Sequence, residues 1–119
     1  MLADAGITVL ALTNGSRAST AKLLDRAAFA APPQHIVSVE DVKRSKPAAK
    51  VYLRAAEVAG VEPGELALIA AHPWDIQGAH AAGLTTAYLT ADRPFSAVLH
   101  APDVEGPTLP DCARALLAL

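Results

Sequence analysis

Residues 68–79, Leu68-Ile69-Ala70-Ala71-His72-Pro73-Trp74-Asp75-Ile76-Gln77-Gly78-Ala79, decide how this chain is read. A run of apolar residues ends in a histidine, a proline and a carboxylate. That is the pattern of a buried parallel strand delivering a loop at its C-terminal edge. Asp75 then opens a short helix over 75–82, ended by Gly83. In open α/β sheets this edge is where ligands bind. Taken by itself, Asp75 could be no more than a helix cap, so the surrounding segments carry the argument.

Upstream of that strand, which spans 66–71, lies the turn Val61-Glu62-Pro63-Gly64-Glu65. Before the turn, Ala48, Val51, Tyr52, Ala55, Val58 and Ala59 recur at helical spacing, and Gly60 closes the helix. Pro47 falls at the first helical position, leaving Lys46 at the helix entrance. His35 to Val39 reads as another strand. Ile7 to Leu12 reads as the first strand, after a helical turn over 1–5 closed by Gly6. Thr13-Asn14-Gly15-Ser16 breaks this first strand, with Ser16 as N-cap of a helix to about Ala28. Downstream, Thr85 to Leu89 is a fourth strand, and 91–107 is irregular, with Pro94, Pro102 and Pro107. A last helix runs from Pro110 to Leu117. Strands alternating with helices predict an α/β fold, a parallel sheet covered by helices on both faces, as a single domain over 1–119.

A length of 119 residues with 52% hydrophobic content suits one globular core. The formal net charge of −2 supplies no positive field for nucleic acid or an anionic membrane. The local basic cluster Lys43, Arg44, Lys46, Lys50 and Arg54 has no aromatic stacking platform beside it and reads mostly as a solvated face. No apolar run approaches the roughly 20 residues of a membrane span, and the N-terminus lacks a leader pattern. Cys112 is the single cysteine and cannot close an internal disulfide. A cytoplasmic protein without nucleic-acid or membrane partners is expected.

Three polar clusters fall at strand ends or helix starts: Thr13-Asn14, Lys46, and His72 to Asp75. A parallel sheet can bring such positions to one rim. Thr13 and Asn14 offer a hydroxyl, an amide and the backbone N–H groups of a helix start, all suited to a carboxylate, phosphate or halide. Lys46 would add positive charge, and Asp75 could hold that lysine or polarise a water. Each also has a plainer reading: a turn, a solvated lysine, a loop histidine, and, for Tyr52 and Trp74, core packing or a pocket wall. His72 and His80 lie eight apart with no other ligand at zinc spacing, so no metal site is expected. As rim residues, Lys46 and Asp75 should each be removable at a stability cost of at most about 1–2 kcal/mol.

The combination Leu12-Thr13-Asn14-Gly15-Ser16, Lys46-Pro47 with Tyr52, and Ala71-His72-Pro73-Trp74-Asp75-Ile76-Gln77-Gly78-Ala79 resembles motifs two, three and four of the haloacid dehalogenase superfamily. More closely, it is similar to the type II (S)-2-haloacid dehalogenases. The resemblance implies a Rossmann-like core and a hydrolase that displaces halide from short 2-haloacids through an aspartyl ester, with no cofactor. By the same resemblance Thr13 and Asn14 contact substrate carboxylate and halide, and Lys46 neutralises charge around the nucleophile. Tyr52 neighbours that lysine, Asp75 orients the lysine and the hydrolytic water, and Trp74 walls the pocket.

The chain also departs from the pattern. Ala70-Ala71-His72 stands where these dehalogenases commonly carry a Ser-Ser-Asn-type sequence, which leaves His72 as a candidate base. The superfamily's phosphatases usually carry an acid for magnesium four or five residues before the motif-four aspartate, where this chain has Ala71 and Ala70. Six residues precede Ile7, so the resemblance implies an incomplete core. The first motif, its nucleophile, the central strand bearing it and the helical cap are expected to be missing, and the chain alone to be inactive. A small anionic substrate is the expected partner, with a homodimer, or the missing N-terminal half supplied by the full-length chain, as further expectations. The alternatives are a phosphatase of the same superfamily and a non-catalytic module that binds an anion or a partner.

Overall fold

The computed structural model describes residues 7–16, 18, 19, 22, 35–44, 46–91 and 101–119. The expected helical turn over 1–5 and most of the expected helix to Ala28 lie outside these residues. Ala18, Ser19 and Lys22 are helical, and Ser16 Oγ accepts the Ser19 N–H at 3.1 Å, as an N-cap does.

Strand β1 (Leu10–Thr13) pairs in parallel with β2 (His35–Ser38), Leu10 opposite His35 and Thr13 opposite Ser38. Strands β3 (Ala67–Ala70), β4 (Thr85–Leu89) and β5 (Val104–Gly106) form a second parallel sheet in that order. Helices α1 (Ala49–Ala59), α2 (Pro73–Ala81) and α3 (Leu109–Leu117) complete the described elements, with short 3-10 turns at Val39–Asp41 and Pro63–Glu65. The alternating parallel α/β architecture therefore stands as expected. The described residues form two parallel sheets, and α1 joins them by packing on β1, β2 and α2. Helix α2 in turn packs on β3 and β4.

Burial follows the apolar pattern. Val51, Tyr52, Ala55 and Ala56 of α1, Ile76 and Ala79 of α2, and Ala87 and Tyr88 of β4 are buried. Strand β4 is central to its sheet and well covered, whereas β1 is half-buried throughout and β3 has an exposed first residue. Gly60 ends α1 in the left-handed region at φ 73°, where a side chain would be strained, as the sequence pattern requires.

Several boundaries differ from the sequence reading. Strand β1 starts at Leu10 rather than Ile7 and takes in Thr13, which was expected to break it. Pro47 is outside α1: Ala48 is the N-cap, and the Lys46–Pro47 bond is cis. The loop is first tied to β1 through the Lys46 N–H and only then turns into the helix. Helix α2 begins at Pro73 rather than Asp75, because proline suits the first helical position and His72 occupies the N-cap. The stretch 91–107 contains β5, a three-residue edge strand too short to show a period. It is pinned by Asp103, whose carboxylate accepts the Thr86 N–H at 2.8 Å while its own N–H returns to the Thr86 carbonyl at 3.1 Å. Among the described residues no helix is long and apolar enough to cross a membrane.

Candidate active site

The loops leaving the C-terminal ends of β1, β2 and β3 meet through side chains. Asn14 follows β1, and its Oδ1 accepts the backbone N–H of Lys46 at 2.9 Å. Lys46 follows β2, and its Nζ donates to Asp75 Oδ2 at 2.9 Å. Asp75 sits in the first turn of α2, after β3. Its other oxygen, Oδ1, accepts the Tyr52 hydroxyl at 2.6 Å. Residues 14, 46, 52 and 75 thus form one hydrogen-bonded series across both sheets.

Asp75 is not a cap. The N–H groups of Asp75 and Ile76 go to the His72 carbonyl, and no side chain caps α2. Within the first turn the Asp75 carboxylate lies where the helix dipole favours negative charge, and it turns inward to the lysine and tyrosine. The side chains of Lys46 and Asp75 are only 10% and 9% exposed. This corrects the expectation of a rim pair. A desolvated ion pair must be matched on both sides, and Asp75 meets that condition with one donor on each oxygen.

Tyr52 is fully buried. Burial, then the hydrogen bond to Asp75, then the Asp75 charge push its phenol well above the ordinary tyrosine range. It is therefore held as the neutral donor to Asp75 beyond the pH at which an ordinary phenol ionises.

The other expected residues are placed differently. Thr13 Oγ1 accepts the Gly15 N–H at 2.9 Å and so closes its own turn. His72 is exposed and meets Trp74 edge to face, with ring centroids 5.6 Å apart at 81°. Trp74, 44% exposed, lines an open apolar groove of about 640 Å³ together with Pro47, Pro73, Gln77 and Gly78. Four of these residues lie on α2, and Pro47 adjoins Lys46 in the sequence.

Two contributors went unnoticed in the sequence. Ser38, at the end of β2 and fully buried, donates to the Gly15 carbonyl at 2.8 Å and accepts the Glu40 N–H at 3.2 Å, fastening the Asn14 loop to β2. Its only signal was a polar residue ending an apolar strand. Gly78 lies against Pro47 and Tyr52. A glycine inside a helical pattern was the signal there. Among the described residues no group of three or more His, Cys, Asp or Glu side chains could hold a metal ion.

Comparison with known proteins adds to this geometry. Residues 1–83 match the family model described as haloacid dehalogenase-like hydrolase. The chain is 32% identical over 85 residues to (S)-2-haloacid dehalogenase 1 of Pseudomonas sp. (strain CBS-3), covering 71% of this chain and 37% of that protein. Its fold superposes on the L-2-haloacid dehalogenase from Xanthobacter autotrophicus with a TM-score of 0.86 at 22% identity, over 97% of this chain and 57% of the other. A HAD phosphatase from Thermococcus onnurineus gives a TM-score of 0.83 at 26% identity, over 97% and 53%. The chain thus spans little more than a third of the Pseudomonas protein and about half of each solved structure.

Proposed function

This chain belongs to the haloacid dehalogenase-like hydrolases, and from that premise we propose that it serves the release of halide from short 2-haloacids. The observation that carries the proposal is the buried Lys46–Asp75 ion pair at the C-terminal ends of parallel strands, held by Tyr52 and tied to Asn14. The likeness to the Pseudomonas dehalogenase supports the substrate class.

In this reading an aspartate carboxylate attacks C2 of the 2-haloacid. The carbon–halogen bond breaks, and halide leaves with the bonding pair. Water then adds to the carbonyl of the resulting ester, and the hydroxy acid departs as the carboxylate is restored. Asn14, its oxygen committed to Lys46, offers its amide hydrogens to the substrate carboxylate or the departing halide, beside Thr13. Lys46 stabilises the negative charge around the nucleophile. Asp75 orients Lys46 and the water, His72 takes the water's proton, and Trp74 walls the substrate side. Both Asp75 oxygens are engaged, which leaves Asp75 the orienting role; by the family resemblance the attacking carboxylate is proposed to lie on a further strand, between β1 and β3.

Ala70 and Ala71 stand before Asp75 where a magnesium site would want hard oxygen ligands, which favours dehalogenation over phosphate hydrolysis. The test is halide release from 2-chloropropionate, by the chain alone and with an aspartate-bearing strand segment supplied in trans. Release only with the segment, persisting in chelator and lost in Lys46→Ala, is expected. Phosphate release from p-nitrophenyl phosphate without halide release would establish the phosphatase reading instead. Halide release by the chain alone would overturn the placement of the nucleophile.

A further inference from the structure

Gly78 lies on the second turn of α2 and faces away from solvent. Glycine is a poor choice inside a helix, where it costs backbone entropy that alanine does not. What it leaves is room. A Cβ built on Gly78 would lie 2.6 Å from Pro47 Cβ, 2.7 Å from the Tyr52 hydroxyl oxygen and 2.8 Å from Tyr52 Cε2, all well inside van der Waals contact.

The two neighbours differ in their ability to yield. Pro47 is exposed in a loop. Tyr52 is fully buried, packed with Ala79 and Leu84, and its hydroxyl is already engaged with Asp75 at 2.6 Å. A side chain at 78 would therefore drive the Tyr52 ring away from α2, or α2 away from α1. Either movement separates the hydroxyl from Asp75, three residues earlier on the same helix.

We propose that Gly78 is a positioning residue for Asp75: the notch it leaves in α2 lets the Tyr52 hydroxyl reach Oδ1 while Lys46 holds Oδ2. Its consequence for turnover rests on the reading of Asp75 given above. The positioning itself does not, and its test needs no catalysis.

The chain has two tyrosines, so a Tyr88→Phe background leaves Tyr52 as the single phenol. Its ionisation is followed by ultraviolet absorbance in the full chain. With Gly78, no tyrosinate should form until the fold is lost at alkaline pH. Gly78→Ala, still folded by circular dichroism, should ionise at least one pH unit lower. An unchanged titration in a folded Gly78→Ala protein overturns the proposal. If Gly78→Ala does not fold, Gly78→Ala with Tyr52→Leu decides the question. Recovery of a cooperative melt supports the notch as made for Tyr52, and continued failure to fold overturns it. A shifted titration supports the positioning whether or not halide is released, whereas a shifted titration with halide release unchanged in the segment-complemented protein would count against the catalytic reading of Asp75.

Discussion

The Tyr52 hydroxyl donates to Asp75 Oδ1 at 2.6 Å across 23 residues of sequence, on the side of the carboxylate opposite the Lys46 ammonium. This contact joins α1 to α2, and with them the two sheets. It also ties the stability of the fold to alkaline pH, because the folded chain keeps a phenol proton that the unfolded chain gives up.

Stability should fall at high pH through Tyr52. Its folded-state pKa is raised by burial and by Asp75, so above the ordinary phenol value of about 10 the unfolded chain gives up a proton that the folded chain keeps. The contribution is complete below that value and is lost as pH rises beyond it. Urea midpoints at pH 8 and 11 should show a smaller alkaline loss for Tyr52→Phe than for the parent. At pH 8 Tyr52→Phe should cost about 1.5–3 kcal/mol, the range for a hydrogen bond to a charged group.

Breaking the Lys46–Asp75 pair should destabilise the fold more than a rim location would imply. Each side chain is nearly buried, so Asp75→Ala or Lys46→Ala strands the partner's charge and should cost about 3–5 kcal/mol. The Lys46→Met/Asp75→Leu double variant should lose less than the sum of its single variants in urea denaturation, because neither charge remains unpaired. Strict additivity would show that the pair is solvated in solution.

Ser38→Ala should cost about 1–3 kcal/mol by thermal or urea melting, since it leaves the Gly15 carbonyl and the Glu40 N–H without their shared hydroxyl. The effect should extend to the Asn14 loop, seen as faster amide exchange at Lys46, whose N–H is held by Asn14.

Lys43→Gly should stabilise the chain. Lys43 is exposed and adopts a left-handed φ of 56°, with its N–H bonded to the Val39 carbonyl at 2.9 Å. Glycine takes that conformation without the Cβ penalty of about 1–2 kcal/mol, offset in part by its greater freedom when unfolded. A net gain of about 0.5–1 kcal/mol in urea is expected, and a loss would place the Lys43 side chain in a contact that the structure does not contain.

The departures between sequence and structure have local causes. Proline at 73 starts α2 two residues before Asp75, the residue expected to open it, so the carboxylate moves from the cap into the first turn and can face inward. Strand β5 has three residues and ends in glycine. It owes its place to pairing with β4 and to Asp103 on Thr86, neither of which leaves a periodic trace. Ser38 and Gly78 act through neighbours distant in the chain.

Local sequence was enough to establish the parallel α/β alternation, since apolar runs, helical periodicity and Gly60 follow from short-range backbone and solvent preferences. It also placed Asn14, Lys46 and Asp75 at strand ends or helix starts, because that property belongs to each segment separately. Tertiary structure alone decided that these three meet Tyr52 in one hydrogen-bonded series, that Asp75 spends both oxygens there, and that Gly78 leaves the room for it. The physical reason is that hydrogen bonds and desolvation act over a few ångströms between groups up to 32 residues apart. Which groups come within that range is settled only when α1 packs on α2 and joins the two sheets.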